Sequence, residues 1–228
     1  VSPVELPSPN FDARNVEVDI LLLHYTGMRT AQTALDRLCD PAAQVSAHYT
    51  VDEEGVVYRH VAEEMRAWHA GVSAWKGAAD INARSIGIEI VNPGHEFGYR
   101  AFPRRQMEAV ADLALDVLSR HAIPPERVLG HSDVAPLRKQ DPGELFDWHW
   151  LAERGVGHWA APKPCRWSDA EFEAQLAAYG YDLGSTEARR AAIIAFARHF
   201  RPARLDPTPD PDLKAVLQGL IDSLGTKA

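Results

Sequence analysis

The sequence predicts an α/β fold: a mixed central β-sheet flanked by helices, followed by a small three-helix domain. Three observations carry this prediction. Val18–His24 and Ser85–Val91 are short apolar runs with the length and character of buried central strands. Amphipathic helical stretches are interleaved with these and other strand-like segments, the pattern of an α/β or mixed-sheet domain. Beyond a Pro-rich stretch at Ala160–Pro164, three helical segments follow one another.

The elements are justified in chain order. Pro3, Pro7 and Pro9 make the first fifteen residues an extended lead-in rather than an element. The Val18–His24 strand ends at Tyr25-Thr26-Gly27, and Thr30 can cap a helix reaching about Leu38. His48–Asp52 and Val56–His60 flank Glu53-Glu54-Gly55, which suggests a hairpin. Ser85–Val91 is another core strand. From Pro103 to about His121, Met107, Val110, Ala111, Ala114, Val117 and Leu118 form a helical stripe. Val128–Gly130 is a brief strand or loop ending at His131, and Glu144–Ala152 can form a helix. Ala160–Pro164 reads as a linker, dividing the chain into residues 1–162 and 163–228. Of the three helices that follow, one runs from Ser168 to Tyr179 with Gly180 as its stop. The second is capped by Thr186, with Ile193, Ile194, Phe196 and Ala197 on its buried side; the third opens at Asp210-Pro211 and ends near Leu224-Gly225.

Composition narrows the function. With 228 residues, 46% hydrophobic and 25% charged, the chain fits a soluble globular domain with a small companion. Its 32 acidic and 24 basic residues give a net charge of −8, which disfavours a nucleic-acid partner. No apolar run approaches the roughly 18 residues of a transmembrane segment. Val1-Ser2-Pro3 opens without a signal-like run, so a signal was either never present or already removed. Cys39 and Cys165 lack metal or redox spacing and read as ordinary thiols. Ten histidines, nine of them within the first 160 residues, point instead to metal or acid–base chemistry.

Four positions attract attention individually. His24 ends an apolar strand, where functional side chains often sit, although a core imidazole would look the same. His131 and Asp141 lie ten residues apart across a Pro136-bearing loop, and imidazole and carboxylate are ordinary zinc ligands. His24 can complete a set of three; a polar surface loop is the alternative. Glu89 is a carboxylate in the apolar run Ile86–Val91, costly unless paired or functional. A raised pKa there suits a general base, and a structural salt bridge is the alternative. Lys139, two residues before Asp141, can face an oxyanion or simply face solvent. Trp68-His69 suits a substrate wall or a partner behind the metal ligands. His48 reads as structural. His60, His95, His121, His149, His158 and His199 read as surface or packing residues. No Gly-rich phosphate loop, Gly-x-Ser-x-Gly elbow or His-Glu-x-x-His helix is present.

Taken together, six segments resemble one family. They are Leu23–Thr26, Val45–Tyr49, Arg66–Gly71, Asn82–Glu89, Gly130–Pro136 and Arg138–Gly143. In this order they resemble the zinc-dependent N-acetylmuramoyl-L-alanine amidases of the AmpD/AmiD type, which share a fold with peptidoglycan recognition proteins. The resemblance implies Zn2+ held by His24, His131 and Asp141, with Glu89 as the catalytic carboxylate and Lys139 as its oxyanion partner. It also implies substrate contacts at Trp68, His69 and Asn82. Leu137, where relatives often carry Asp, implies an altered loop surface. Phe172–Tyr181 and Ala195–Pro202 resemble a three-helix peptidoglycan-binding module.

The expected reaction is hydrolysis of the amide joining N-acetylmuramic acid to L-alanine, in peptidoglycan or muropeptides, 1,6-anhydro forms included. The competing readings are a non-catalytic peptidoglycan-recognition module and a zinc hydrolase of another amide. A lost zinc ligand would favour the former, and all three are present. A wall-binding tail favours the bacterial cell envelope, with cytoplasmic recycling as the other option. The chain is expected to be a monomer.

Overall fold

The computed structural model describes residues 2–225. Six strands form one sheet: β1 (Val4–Glu5), β3 (Ile20–Tyr25), β4 (Tyr49–Val51), β5 (Val57–Arg59), β9 (Ser85–Ile90) and β10 (Val128–Gly130). Their order is β1-β5-β4-β9-β3-β10. Every neighbouring pair is parallel except the β4–β5 hairpin, so the sheet is mixed as expected. Two small ribbons lie apart from it, β2 (Phe11–Ala13) with β6 (Met65–Ala67) and β7 (Ala74–Trp75) with β8 (Ala78–Ala79). The helices before residue 160 are α1 (Ala31–Cys39), α2 (Ile81–Arg84), α3 (Gly94–Phe97), α4 (Arg104–Arg120), α5 (His131–Val134) and α6 (Trp148–Ala152). After it come α7 (Asp169–Tyr179), α8 (Thr186–Phe200) and α9 (Pro211–Gly225).

Register decides what each sheet face carries. His24 pairs with Glu89, Leu22 with Gly87, and Thr50 with Glu89, so these side chains share one face. Leu21, Leu23, Tyr49, Val51, Ile86, Ile88 and Ile90 turn to the other. There they form one core with Met107, Val110, Ala114 and Val117 of α4. The α4 stripe thus packs as its periodicity implies. On the first face, Ile20, Leu22 and Leu129 join a second core with Phe172, Leu176, Ile193, Phe196, Leu213 and Leu217 of α7–α9. At the carboxyl ends of β3 and β9 the same face turns polar.

Three local readings change. The Pro-rich lead-in contributes β1 and β2, because Val4–Glu5, between Pro3 and Pro7, and Phe11–Ala13, beyond Pro9, keep the N–H groups that pairing needs. The helix expected over Glu144–Ala152 begins only at Trp148, where the Asp147 side chain accepts from Trp150 N–H. The second C-terminal helix is capped by Ser185, one residue before Thr186. The stretch around 162–163 has no regular structure, as a linker would, but the second core continues across it. Cys39 and Cys165 are free thiols, each half-buried. Among the described residues no helix is long and apolar enough to cross a membrane.

Candidate metal centre and active site

β3 delivers His24 at the carboxyl edge of the sheet, and β10 delivers His131 at the first position of α5. The loop after α5 returns Asp141 to them. The Nδ1 atoms of His24 and His131 lie 2.9 Å apart, and Asp141 Oδ2 is 3.2 and 3.0 Å from them. All three residues are buried. Burial, and then the neighbouring His131, lower the pKa of His24 to about 4. It is therefore a neutral imidazole near pH 7. Burial alone would raise the Asp141 carboxyl, but His131 and His24 outweigh it and hold Asp141 well below the usual range.

The groups behind these donors set their tautomers. His131 Nε2 lies 3.0 Å from the Ala70 carbonyl, so it carries the proton and leaves the Nδ1 lone pair facing inward. His24 Nε2 lies 3.0 Å from His69 Nδ1, His69 Nε2 is 3.4 Å from Ser85 Oγ, and the Ser85 hydroxyl donates to Ile81 O at 2.6 Å. This chain of donors leaves His24 Nδ1 as a lone pair too. Two inward lone pairs and a carboxylate oxygen repel one another unless a cation lies between them. Ligand atoms on a tetrahedral zinc ion sit roughly 3.3 Å apart, and these donors fit that spacing. The set fits a metal ion with three protein ligands.

Glu89 stands beside them on the next strand. It is half-buried, and its Oε2 is buried without a hydrogen-bond partner. Burial and the Asp141 charge push its carboxyl well above the ordinary range, with Lys139 pulling the other way. The salt bridge that sequence left as an alternative is absent among the described residues. A cavity of about 60 Å³, lined in part by Thr26, Met28, Arg37 and Val45, adjoins Glu89. Lys139 is half-buried in the His131–Asp141 loop, close enough for its charge to act on both Glu89 and His24.

The remaining expected site residues occupy different depths. Trp68 is half-buried, its Nε1 donating to Asp12 at 2.7 Å. His69 is buried behind His24, and a Cβ at Gly87 would come within 2.5 Å of its ring. Asn82 is also buried, its Oδ1 accepting from the His69 and Ala70 N–H groups at 2.9 and 2.7 Å. It thereby holds the segment after β6 whose Ala70 carbonyl orients His131. Ser85 and the Ala70 carbonyl were invisible to sequence reasoning: one is a small residue in a strand, the other has no side chain signal. The other histidines lie elsewhere, His48 accepting from Gly87 N–H at 2.9 Å and His95 bridging Tyr25 and Glu144. Leu137 is exposed.

Known proteins share this arrangement of elements. Residues 14–144 match the N-acetylmuramoyl-L-alanine amidase family. The N-acetylmuramoyl-L-alanine amidase AmiD of Escherichia coli (strain K12) is 34% identical over 234 residues, covering 91% of this chain and 84% of AmiD. Its complex with the substrate anhydro-N-acetylmuramic acid-L-Ala-D-gamma-Glu-L-Lys matches with a TM-score of 0.82 at 35% identity, over 91% of this chain and 90% of that one. AmpDh3 from Pseudomonas aeruginosa, solved with anhydromuramic pentapeptide, gives a TM-score of 0.82 at 32% identity, over 91% and 92% of the two chains. The 1,6-anhydro-N-acetylmuramyl-L-alanine amidase AmpD of Haemophilus influenzae is 30% identical over 164 residues, covering 63% of this chain and 87% of AmpD. This chain belongs to the N-acetylmuramoyl-L-alanine amidases, hydrolases of the amide between N-acetylmuramic acid and L-alanine.

Proposed function

We propose that the metal is Zn2+ and that the substrates are muropeptides, 1,6-anhydro forms included, handled in the bacterial cell envelope by a monomer. The observation that carries this reading is the convergence of His24 Nδ1, His131 Nδ1 and Asp141 Oδ2 beside the unpartnered Glu89 Oε2. A His2Asp set of nitrogen and oxygen donors suits zinc, and three protein ligands leave a fourth position open. The anhydro-muropeptides bound by AmiD and AmpDh3 support the substrate class. The three-helix tail, which resembles a peptidoglycan-binding module, favours the envelope, and the likeness to AmiD extends over most of the chain.

Bound zinc supplies Lewis acidity and brings the pKa of water toward about 7. Glu89 takes a proton from the attacking water, which its raised pKa suits, and returns it to the departing L-alanine amine. The Lys139 ammonium faces the negative charge that develops on the carbonyl oxygen. His69, Asn82 and Ser85 keep both imidazoles oriented, and Trp68 forms the half-exposed wall against which substrate lies. Residues 1–162 carry this chemistry, and residues 163–228 form the three-helix unit.

Purified anhydro-muropeptides incubated with the protein, followed by mass spectrometry, test the reading. Free stem peptide should appear, vanish on chelation and return with added Zn2+. Elemental analysis should find one zinc per chain. Binding without cleavage, or cleavage indifferent to chelator, would replace this reading with a recognition module or a different hydrolase.

A further inference from the structure

A second buried polar cluster lies behind the metal donors, and the reaction makes no use of it. Asp133 sits in α5, the single turn whose first residue is His131. Its side chain is 0% exposed. Asp133 Oδ2 accepts from Gly130 N–H at 2.7 Å and from His199 Nδ1 at 2.7 Å, while Oδ1 accepts from the Tyr181 hydroxyl at 2.6 Å. The first bond is local. The other two reach across to the C-terminal segment.

Both of those donors are held firmly. His199, on α8, stacks on Trp148 with ring centroids 3.8 Å apart and planes 19° apart, and on Phe200 at 4.0 Å. Tyr181, just beyond α7, meets Trp75 edge-on at 4.9 Å. Burial and the adjacent Asp133 charge keep its phenol well above the ordinary range, so it remains an O–H donor. A buried carboxylate that loses one such donor bears an uncompensated desolvation cost and relaxes by moving. Movement of this turn matters at the metal centre. His131 begins it, and Ser132 N–H donates to the Asp141 carbonyl at 2.9 Å, so two of the three metal donors are tied to the same four residues.

We infer that Asp133, His199 and Tyr181 are positioning residues for the metal centre, through which the C-terminal helices fix the turn carrying His131 and anchoring Asp141. The inference rests on the proposed metal site and deepens it. It makes the three-helix unit a working part of the catalytic apparatus, whatever wall contacts it also makes.

The test is Zn2+ affinity, measured on the full chain by competition with a chelator of known affinity, together with the absorption spectrum of the Co2+-loaded protein. Tyr181→Phe removes one hydroxyl and keeps the ring. His199→Phe keeps the stack and removes the donor, whereas His199→Asn restores an N–H near the Nδ1 position. Leu217→Ala, fully buried on α9, serves as a control for lost stability alone. Tyr181→Phe and His199→Phe should weaken Zn2+ binding about 10- to 100-fold and alter the Co2+ spectrum. His199→Asn should recover most of that loss, and Leu217→Ala should lower the melting temperature while leaving affinity and spectrum unchanged. Wild-type affinity in Tyr181→Phe, or an equal loss in Leu217→Ala, overturns the inference. Should the His199 variants fail to fold, Tyr181→Phe against Leu217→Ala still decides it. A wild-type chain that binds no Zn2+ at all would instead defeat the metal assignment itself.

Discussion

Glu89 lies between Ile88 and Ile90 on β9, where burial penalises a charged carboxylate, and among the described residues no group donates to its Oε2. That combination, with the Asp141 charge nearby, pushes its carboxyl well above the ordinary range. Glu89→Gln preserves shape and removes the proton-transfer capacity. It should leave Zn2+ content unchanged while lowering turnover by about 10²- to 10⁴-fold, read by stem-peptide release alongside elemental analysis. At Gly87 the constraint is steric rather than electrostatic. The His69 ring occupies the space a Cβ would take, 2.5 Å away. Gly87→Ala should therefore displace His69, loosen its contact with His24, and weaken Zn2+ binding in chelator competition by about tenfold or more.

At the scale of elements, strands and ligands are coupled by register. Pairing His24 with Glu89 places the candidate metal ligand and the neighbouring carboxylate side by side, and a one-residue slip of β3 against β9 would send His24 to the α4 face, away from Glu89. The strands were legible in the sequence because Ile20–Leu23 is an unbroken aliphatic run and Ile86, Ile88 and Ile90 alternate along Ser85–Val91. The helix expected over 144–152 is shorter, since Leu145 and Phe146 continue its apolar pattern upstream of the Asp147 cap at which it begins. Glu63, in the turn before β6, ties β4 to the end of α4. It accepts from Arg120, Tyr49 and His121. Burial would raise its carboxyl, yet these hydrogen bonds prevail and bring it down to about 2. A folded-state pKa below the unfolded value adds stability above about pH 4.5 that disappears as pH falls through about 2. Glu63→Gln should abolish that part of the acid dependence, on the order of 2 kcal/mol, seen by comparing urea unfolding of the two proteins at pH 6 and pH 3.

The whole molecule consists of two cores on opposite faces of one sheet. The α4 core is complete within the first 160 residues, whereas Ile20, Leu22 and Leu129 depend on α7–α9 for their cover. Residues 1–162 produced alone should expose that apolar face. We expect the fragment to aggregate, or to show a broad, low-temperature unfolding transition by circular dichroism, with weakened Zn2+ binding. A soluble fragment with wild-type melting and affinity would show that the two parts are independent.

The α/β class and the two central strands could be read from the chain alone, and the family resemblance singled out His24, His131, Asp141 and Glu89. Strand character is local, and the six family segments stand in order along the chain. Tertiary structure alone decided what surrounds that set. The His24–His69–Ser85 chain, the Ala70 carbonyl behind His131, and the Asp133–His199–Tyr181 cluster join residues far apart in sequence or use backbone atoms that no residue letter reports. Asn82 illustrates the difference. The resemblance implies a substrate contact for it, and its buried side-chain oxygen accepts from the His69 and Ala70 N–H groups. The helical unit after residue 164 read as an appendage because its own periodicity is self-consistent. Only packing reveals that its apolar side and the sheet's first face form one core.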